Sequence, residues 1–348
     1  MIDRNYSQQP IFIVGAPRSG TTLLSTMLSA HPRIAISPET AFMLHWWVIR
    51  HWYGDLNDPE RFEIFWLDYT TQGRFVDIGI DGESVLNMLR ALDRVDLKAV
   101  FSASMEEYAA RLKKHRWGEK TPGHERHIEP LLNWYPDARV VFLVRDPRAV
   151  FASMLRVPWG QKDLLWQTGL WKDSIRTLDR FTHDKRFCAI KYEELVENPE
   201  RELRKICEFI DEDYLPGMIY QRSEGSSPIP DSKNTGWSRL HLQSTLEKPV
   251  TPASTKKWLQ ELTPKQIATI EHRARREMLE YGYTVSPYRL GCRGRIYLFA
   301  VAAPLYALKR ICWKLEGSSR CVVRRIVPFR IMKFVRRISS KMSLRNVR

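Results

Sequence analysis

The sequence predicts an α/β protein of three layers, a central parallel sheet covered by helices on both faces, with a helical basic C-terminal extension. Three observations predict it. An apolar strand, a tight glycine-bounded loop and a helix follow one another over residues 11–31. A second apolar run, Val140 to Val144, again leads straight into a helical pattern, and strands go on alternating with helices. The charge divides the chain in two. Residues 289–348 hold 16 Lys and Arg against one acid, Glu316, whereas residues 1–288 hold 39 of each sign. The whole net charge of +15 therefore sits in the last 60 residues, and an electrostatic partner is expected there.

The first element reads IFIVGAPRSGTTLLSTMLSAH. Ile11 to Val14 suit a buried strand, Gly15 to Gly20 turn the chain, and Thr21 and Thr22 open a helix that continues through Leu23, Leu24, Met27 and Leu28. The loop amides and the first unpaired helical N–H groups point at one spot, which makes an anion site of Arg18, Ser19, Gly20, Thr21 and Thr22. The spacing of Gly15 and Gly20 is that of the Walker A loop, GxxxxGK[ST], and predicts a P-loop-containing fold. Thr21, however, stands where the Walker lysine belongs, and the cation has moved inside the loop as Arg18. The loop can still grip an anion, but the metal–nucleotide geometry of a P-loop kinase or nucleotidase is lost.

Residues 40–70 are rich in aromatics, from Phe42, Trp46 and Trp47 to Phe65, Trp66 and Tyr69, at loosely helical spacing, and read as core more readily than as an acceptor wall. Periodicity predicts helices over about 83–93 and 99–114, a short strand from Arg116 to Lys120, and a helix over about 124–134. In RVVFLVRDPRAVFASM, residues 139–154, Asp146 is placed to cap the next helix, Arg145 lies at the strand's carboxyl end, and Ser153 follows about two turns into the helix. Arg145 and Ser153 could reach one phosphate. A strand from Phe187 to Tyr192, helices around 199–210 and 213–221, a long Ser/Pro-rich loop over 223–250 and helices over about 252–281 complete the pattern. Ligands of such a sheet bind beyond the carboxyl ends of the strands, where both phosphate motifs fall.

PRSGTT after a strand, followed some 130 residues on by RDPRxxxxS, resembles the sulfotransferases that use 3′-phosphoadenosine-5′-phosphosulfate (PAPS). The resemblance covers residues 9 to about 285, so 1–288 is expected to be a sulfotransferase domain and 289–348 a basic amphipathic extension. It implies that the Arg18 loop holds the 5′-phosphosulfate and that Arg145 and Ser153 hold the 3′-phosphate, with no metal. Glu39, in ISPETAFML, lies 21 residues after Arg18, the separation seen in the protein-tyrosine sulfotransferases between loop Arg and catalytic Glu. Glu39 is thereby the expected base, with Glu119, His124 and His127 as rivals. Cytosolic phenol sulfotransferases use a His base, which keeps His124 in view. Lys120, in WGEKTP, matches the lysine that stabilises the bridging oxygen. Residues 244–258, STLEKPVTPASTKKW, resemble the segment that closes over the nucleotide, which puts Ser244 forward as a charge stabiliser and Lys257 as a phosphate contact. The Ser244–Lys248 spacing is two residues shorter than in the tyrosine enzymes. Tyr192 matches a tyrosine that meets the adenine. The RKGxxGDW segment of the cytosolic small-molecule enzymes is absent, which places the chain nearer the Golgi-type and bacterial branches.

Five scattered cysteines without a CxxC, and a polar start without a signal-peptide pattern, suggest reduced thiols in a cytoplasm. The expected acceptor is a hydroxyl on a glycan, a lipid-linked sugar or glycolipid, or a tyrosyl peptide. In the extension, Ile296 to Leu308 is an uncharged run too short to span a bilayer. Residues 320–338 interleave apolar pairs with Arg and Lys. Three uses of the extension stay open: lying on an anionic membrane at its inner face, packing on the domain or a second copy, and, least favoured, binding nucleic acid. A non-catalytic membrane-surface protein on the same fold is the remaining rival reading.

Overall fold

Along the first strand, β1 (Ile11–Gly15), side chains alternate between two cores. Phe12 and Val14 join one apolar cluster, and Ile11 and Ile13 join another. The period of two in a strand sends neighbours to opposite faces, so β1 is covered on both faces and reads as a continuous apolar run. The computed structural model describes residues 9–158, 160–219 and 255–312. After β1 come α1 (Thr21–Ser29), β2 (Ile34–Ser37), α2 (Arg50–Tyr53), α3 (Pro59–Thr71), α4 (Gly73–Ile78), α5 (Gly82–Arg90) and α6 (Leu97–Arg111). Then follow β3 (Arg116–Lys120), α7 (Ile128–Trp134), β4 (Arg139–Val144), α8 (Pro147–Leu155), α9 (Leu164–Arg180), β5 (Phe187–Lys191), α10 (Tyr192–Glu197) and α11 (Pro199–Phe209). Helices also span Trp258–Glu261 and Pro264–Glu280, and residues 292–312 are helical throughout.

Among the described residues five strands form one sheet in the order β2-β3-β1-β4-β5, all parallel. The α/β fold with a central parallel sheet is thus the observed one. α1, α10 and α11 cover one face, and α6, α7, α9 and the helix Pro264–Glu280 contribute to the core on the other. The aromatics of residues 42–69 belong to that second core. Phe42, Trp46, Tyr53, Phe65 and Tyr69 are buried and pack ring against ring, Trp46 edge-to-face on Phe65 with centroids 5.4 Å apart and Phe65 parallel to Tyr69 at 5.7 Å. β1 is central; the chain runs from it to the outer strand β2 and back to β3 on one side, then crosses to β4 and β5 on the other. That change of direction is where a parallel sheet opens a crevice at its carboxyl edge.

Some expected elements differ. The helix predicted over 213–221 is only a single 3-10 turn, Pro216–Met218, within the described residues, because Pro216 and Gly217 are poor helix formers. The helices predicted over about 252–281 are, among the described residues, two. Leu262 is extended, and Thr263 starts the second with a reciprocal cap from Gln266 and with Pro264 in its first turn. The strand from Phe187 ends at Lys191, and Tyr192 is the first residue of α10. The helix over 124–134 opens as a 3-10 turn, His124–His127. Four elements have no counterpart in the sequence reading: the short β2, α4 and α10, and the long α9. The loop over 223–250, with Ser244 and Lys248, and residues 320–338 lie outside the described residues.

Candidate active site

The strand register decides which side chains meet. Ile13 pairs with Lys120 and Gly15 with Leu143, so the ends of β1, β3 and β4 stand level at one edge. Gly15 has φ 141°, and a Cβ there would stand 2.4 Å from the Leu143 carbonyl oxygen. The loop can leave β1 only if this position is glycine. Arg18 adopts φ 73°, a left-handed conformation that costs a non-glycine residue about 1–2 kcal/mol. Its side chain reaches α8, where its Nε donates to Ser153 Oγ at 3.0 Å. Arg145, one residue beyond β4, donates from Nη1 to the Arg18 carbonyl at 3.0 Å. Its guanidinium carbon lies 4.0 Å from the centroid of the Tyr192 ring. The residues proposed for the two phosphates thus touch one another across 127 and 135 positions of sequence.

Cations crowd this corner. The Arg18 guanidinium is pushed down to about 10, first by burial and then by the charges of Arg145 and Arg156. A group so placed gains from an anion that neutralises it. Two buried polar atoms, Ser19 Oγ and Arg145 Nε, have no hydrogen-bond partner among the described residues. Buried donors are rarely left in this state. Together with the amides at the start of α1 they suit phosphate oxygens, so the loop fits the phosphates of PAPS.

Gly20, the N-cap of α1, has φ 99°. A Cβ there would lie 2.2 Å from Tyr192 Cδ2. Gly20→Ala should therefore displace the ring on which Arg145 rests. We expect thermal unfolding to show a loss of about 1–2 kcal/mol from the backbone conformation, and a titration with adenosine 3′,5′-bisphosphate to show weaker binding as well. Unchanged affinity would mean that the ring has no part in the site.

Next to the loop, Lys120 Nζ donates to Glu39 Oε1 at 2.9 Å and to Thr22 Oγ1 at 3.4 Å. Arg74, on α4, reaches Glu39 Oε2 at 3.4 Å. The Glu39 side chain is 25% exposed and Lys120 is buried. The segment bearing Glu39 is clamped from β3. Glu119 Oε1 accepts from the Thr40 amide at 3.2 Å and from Thr40 Oγ1 at 2.9 Å, and Thr121 Oγ1 donates to the same oxygen. The Ala41 amide donates to Thr121 Oγ1 at 3.1 Å, which holds Ala41 at φ 50°.

Two of the rival bases, Glu119 and His124, are fully buried. Burial opposes the ionisation of Glu119, but His124 and the hydroxyls of Thr121 and Thr40 outweigh it and hold the carboxyl below the usual range. His124 has Nδ1 2.9 Å from Glu119 Oε2 and Nε2 accepting the Met43 amide at 3.3 Å. Nε2 is thus occupied by the backbone, while Nδ1 lies against the Glu119 carboxylate without a hydrogen bond among the described residues. His127 is lowered to about 4, first by burial and then by His124.

Lys257 is exposed at the start of the helix Trp258–Glu261, which packs through Trp258 under Arg148 with the guanidinium carbon 3.9 Å from the ring centroid. Arg148 in turn pairs with Asp146, the cap of α8, at 2.6 Å. The Asp146 amide donates to Glu193 at 3.0 Å, and burial raises the Glu193 carboxyl. Two residues of the site escaped the sequence reading. Arg74 carries no motif. Trp171, whose Nε1 donates to the Arg145 carbonyl at 2.8 Å, sits on α9, where the buried Trp171, Ile175 and Leu178 spacing was a readable helical signal.

A parallel sheet whose first loop and fourth strand bring Arg18 and Arg145 together, with a carboxylate and a lysine alongside, has the layout of a nucleotide-dependent transferase. The family model of the sulfotransferase family matches residues 10–216. The chain belongs to the sulfotransferase family, and it is an enzyme that takes a sulfuryl group from PAPS. It is 26% identical over 318 residues to the nodulation protein NoeE of Sinorhizobium fredii, covering 82% of this chain and 69% of that one. It is 28% identical over 260 residues to the protein-tyrosine sulfotransferase of Drosophila melanogaster, covering 72% of this chain and 46% of that one. Among solved structures, the sulfotransferase domain from the curacin biosynthetic pathway shares the fold with a TM-score of 0.55, at 18% identity over 80% of this chain and 99% of that one.

Proposed function

We propose that the enzyme sulfates a hydroxyl of a glycan, a lipid-linked sugar or a tyrosyl peptide, with Glu39 as base. The observation that carries this reading is the meeting of Glu39, Lys120 and Thr22 at the mouth of the Arg18 loop. PAPS supplies the sulfuryl group and, in its phosphate, the leaving group. Arg18, Ser19, Gly20, Thr21 and Thr22 hold its 5′ side through charge and amides, and Arg145 and Ser153 hold its 3′-phosphate. Lys120 places positive charge beside Thr22, where negative charge develops during transfer. Glu39 accepts the acceptor's proton, and Arg74 and Lys120 orient its carboxylate. Glu119 and His124 fix the backbone under Glu39. Tyr192 lies between the loop and Arg145, within reach of an adenine. Lys257 and Ser244 keep the roles their resemblance implies. The peptide option is supported by similarity to the tyrosine enzyme, the glycan option by the likeness to the Golgi-type branch.

Incubation with PAPS labelled in its sulfur, together with separated host glycans, lipids and peptides, tests the proposal. Label should move to one hydroxyl-bearing fraction without added metal. Magnesium-dependent turnover of ATP, with no transfer of label, would favour a kinase on the same loop.

A further inference from the structure

The helical residues 292–312 lie on the domain with their polarity reversed. Lys309 Nζ pairs with Asp163 Oδ2 at 2.6 Å, and Arg310 pairs with Asp173. Tyr306 lies over α9 so closely that a Cβ on Gly169 would meet its hydroxyl at 1.8 Å, and the Arg273 guanidinium carbon is 4.9 Å from its ring centroid. At 3.6 residues per turn, Tyr306, Lys309, Arg310 and the buried Ala302 share the side facing the domain. Leu308 and Ile311 fall opposite, and both are exposed. Ile296, Tyr297, Val301 and Leu305 are exposed as well, and Phe299 is 84% exposed. A helix on the surface of a water-soluble domain does the opposite and turns its apolar stripe inward. Between Leu298 and Ala302 the helix widens to a π turn, just before Pro304, which cannot donate to the preceding turn.

We propose that this helix docks the enzyme in the plane of an anionic membrane, its outward apolar face among the acyl chains and its ion pairs against α9 fixing the body above. No helix among the described residues is long and apolar enough to cross a membrane. The uncharged stretch from Ile296 to Leu308 is about 20 Å long as a helix, short of the ~30 Å hydrocarbon core, so it lies along the surface. The charge selects the occupant. Residues 289–348 carry 16 cations and one acid, and each basic group near an anionic leaflet contributes about 1 kcal/mol. A second copy on the same face would bring two extensions of this charge together. α9, which carries the helix, also holds Arg145 through Trp171, so docking would fix the site's distance from the leaflet. The inference is independent of which hydroxyl is sulfated.

The test is co-sedimentation of the full chain with vesicles of phosphatidylcholine alone and with about a third phosphatidylglycerol, for wild type and for F299S/L308S. The variant keeps every charge and alters only exposed side chains, and its binding of adenosine 3′,5′-bisphosphate reports that it is folded. Wild type should bind the anionic vesicles, more weakly in high salt, and the folded variant should bind at least tenfold less. Equal partition of the two proteins would overturn the proposal, and so would failure of wild type to bind. Sedimentation of wild type as a dimer without lipid, with the variant monomeric, would instead assign the face to a second copy and also overturn it.

Discussion

Glu39→Gln should lower turnover by about 10²–10⁴-fold while leaving affinity for adenosine 3′,5′-bisphosphate near that of wild type. The substitution keeps the shape and the acceptor oxygen facing Lys120 or Arg74, but removes the group that would take the acceptor's proton. Nucleotide affinity is spared because the contacts assigned to the phosphates come from the loop, Arg145 and Ser153. Single-turnover rates with PAPS and the sulfated fraction's acceptor read the first quantity, and calorimetry reads the second. Glu119→Gln is the informative control. Glu119 is buried under Thr40, Thr121 and His124, so its loss should lower thermal stability as well as rate. A Glu39→Gln enzyme with full activity would remove Glu39 from the chemistry.

The second large effect is expected at Arg145. Arg145→Ala should weaken adenosine 3′,5′-bisphosphate by about 1.5–3 kcal/mol, the loss of a charge-assisted contact, or roughly 10- to 150-fold in Kd. The residue also supports the Arg18 carbonyl and rests on Tyr192, so part of any loss could come from the loop. Comparison with AMP separates the two. Wild type should prefer the bisphosphate to AMP, and Arg145→Ala should lose most of that preference, because the cycle isolates the 3′-phosphate. A variant that weakens both nucleotides equally would place Arg145 in support of the loop alone.

The fold was legible where one physical signal dominated. β1 and β4 could be read because apolar residues run unbroken in strands buried on both faces, and the loop because Gly15 and Gly20 bracket a turn that strand and helix cannot otherwise make. Asp146 could be read as a cap, and its carboxylate accepts the Arg148 amide at 2.8 Å. The second strand escaped notice because IAIS is only four residues long. The described part of the 213–221 segment is no more than a 3-10 turn because Pro216 and Gly217 are poor helix formers. Arg74 could not be foreseen. It meets Glu39 through the packing of α4, and an arginine after a glycine carries no signal of its own. The tail's charge and its apolar run were plain, but sequence periodicity cannot say which face a helix turns to its domain. Only the contacts of Tyr306, Lys309 and Arg310 reveal that the polar face is inside.

The central claim is that the Arg18 loop with Arg145 and Ser153 holds the two phosphates of the PAPS nucleotide without a metal. Calorimetric titration of the full chain with adenosine 3′,5′-bisphosphate, in excess chelator, tests it most directly. The account predicts one site per chain, unchanged by chelator, with AMP at least tenfold weaker. Binding that requires magnesium, or that prefers ATP to the bisphosphate, would contradict it.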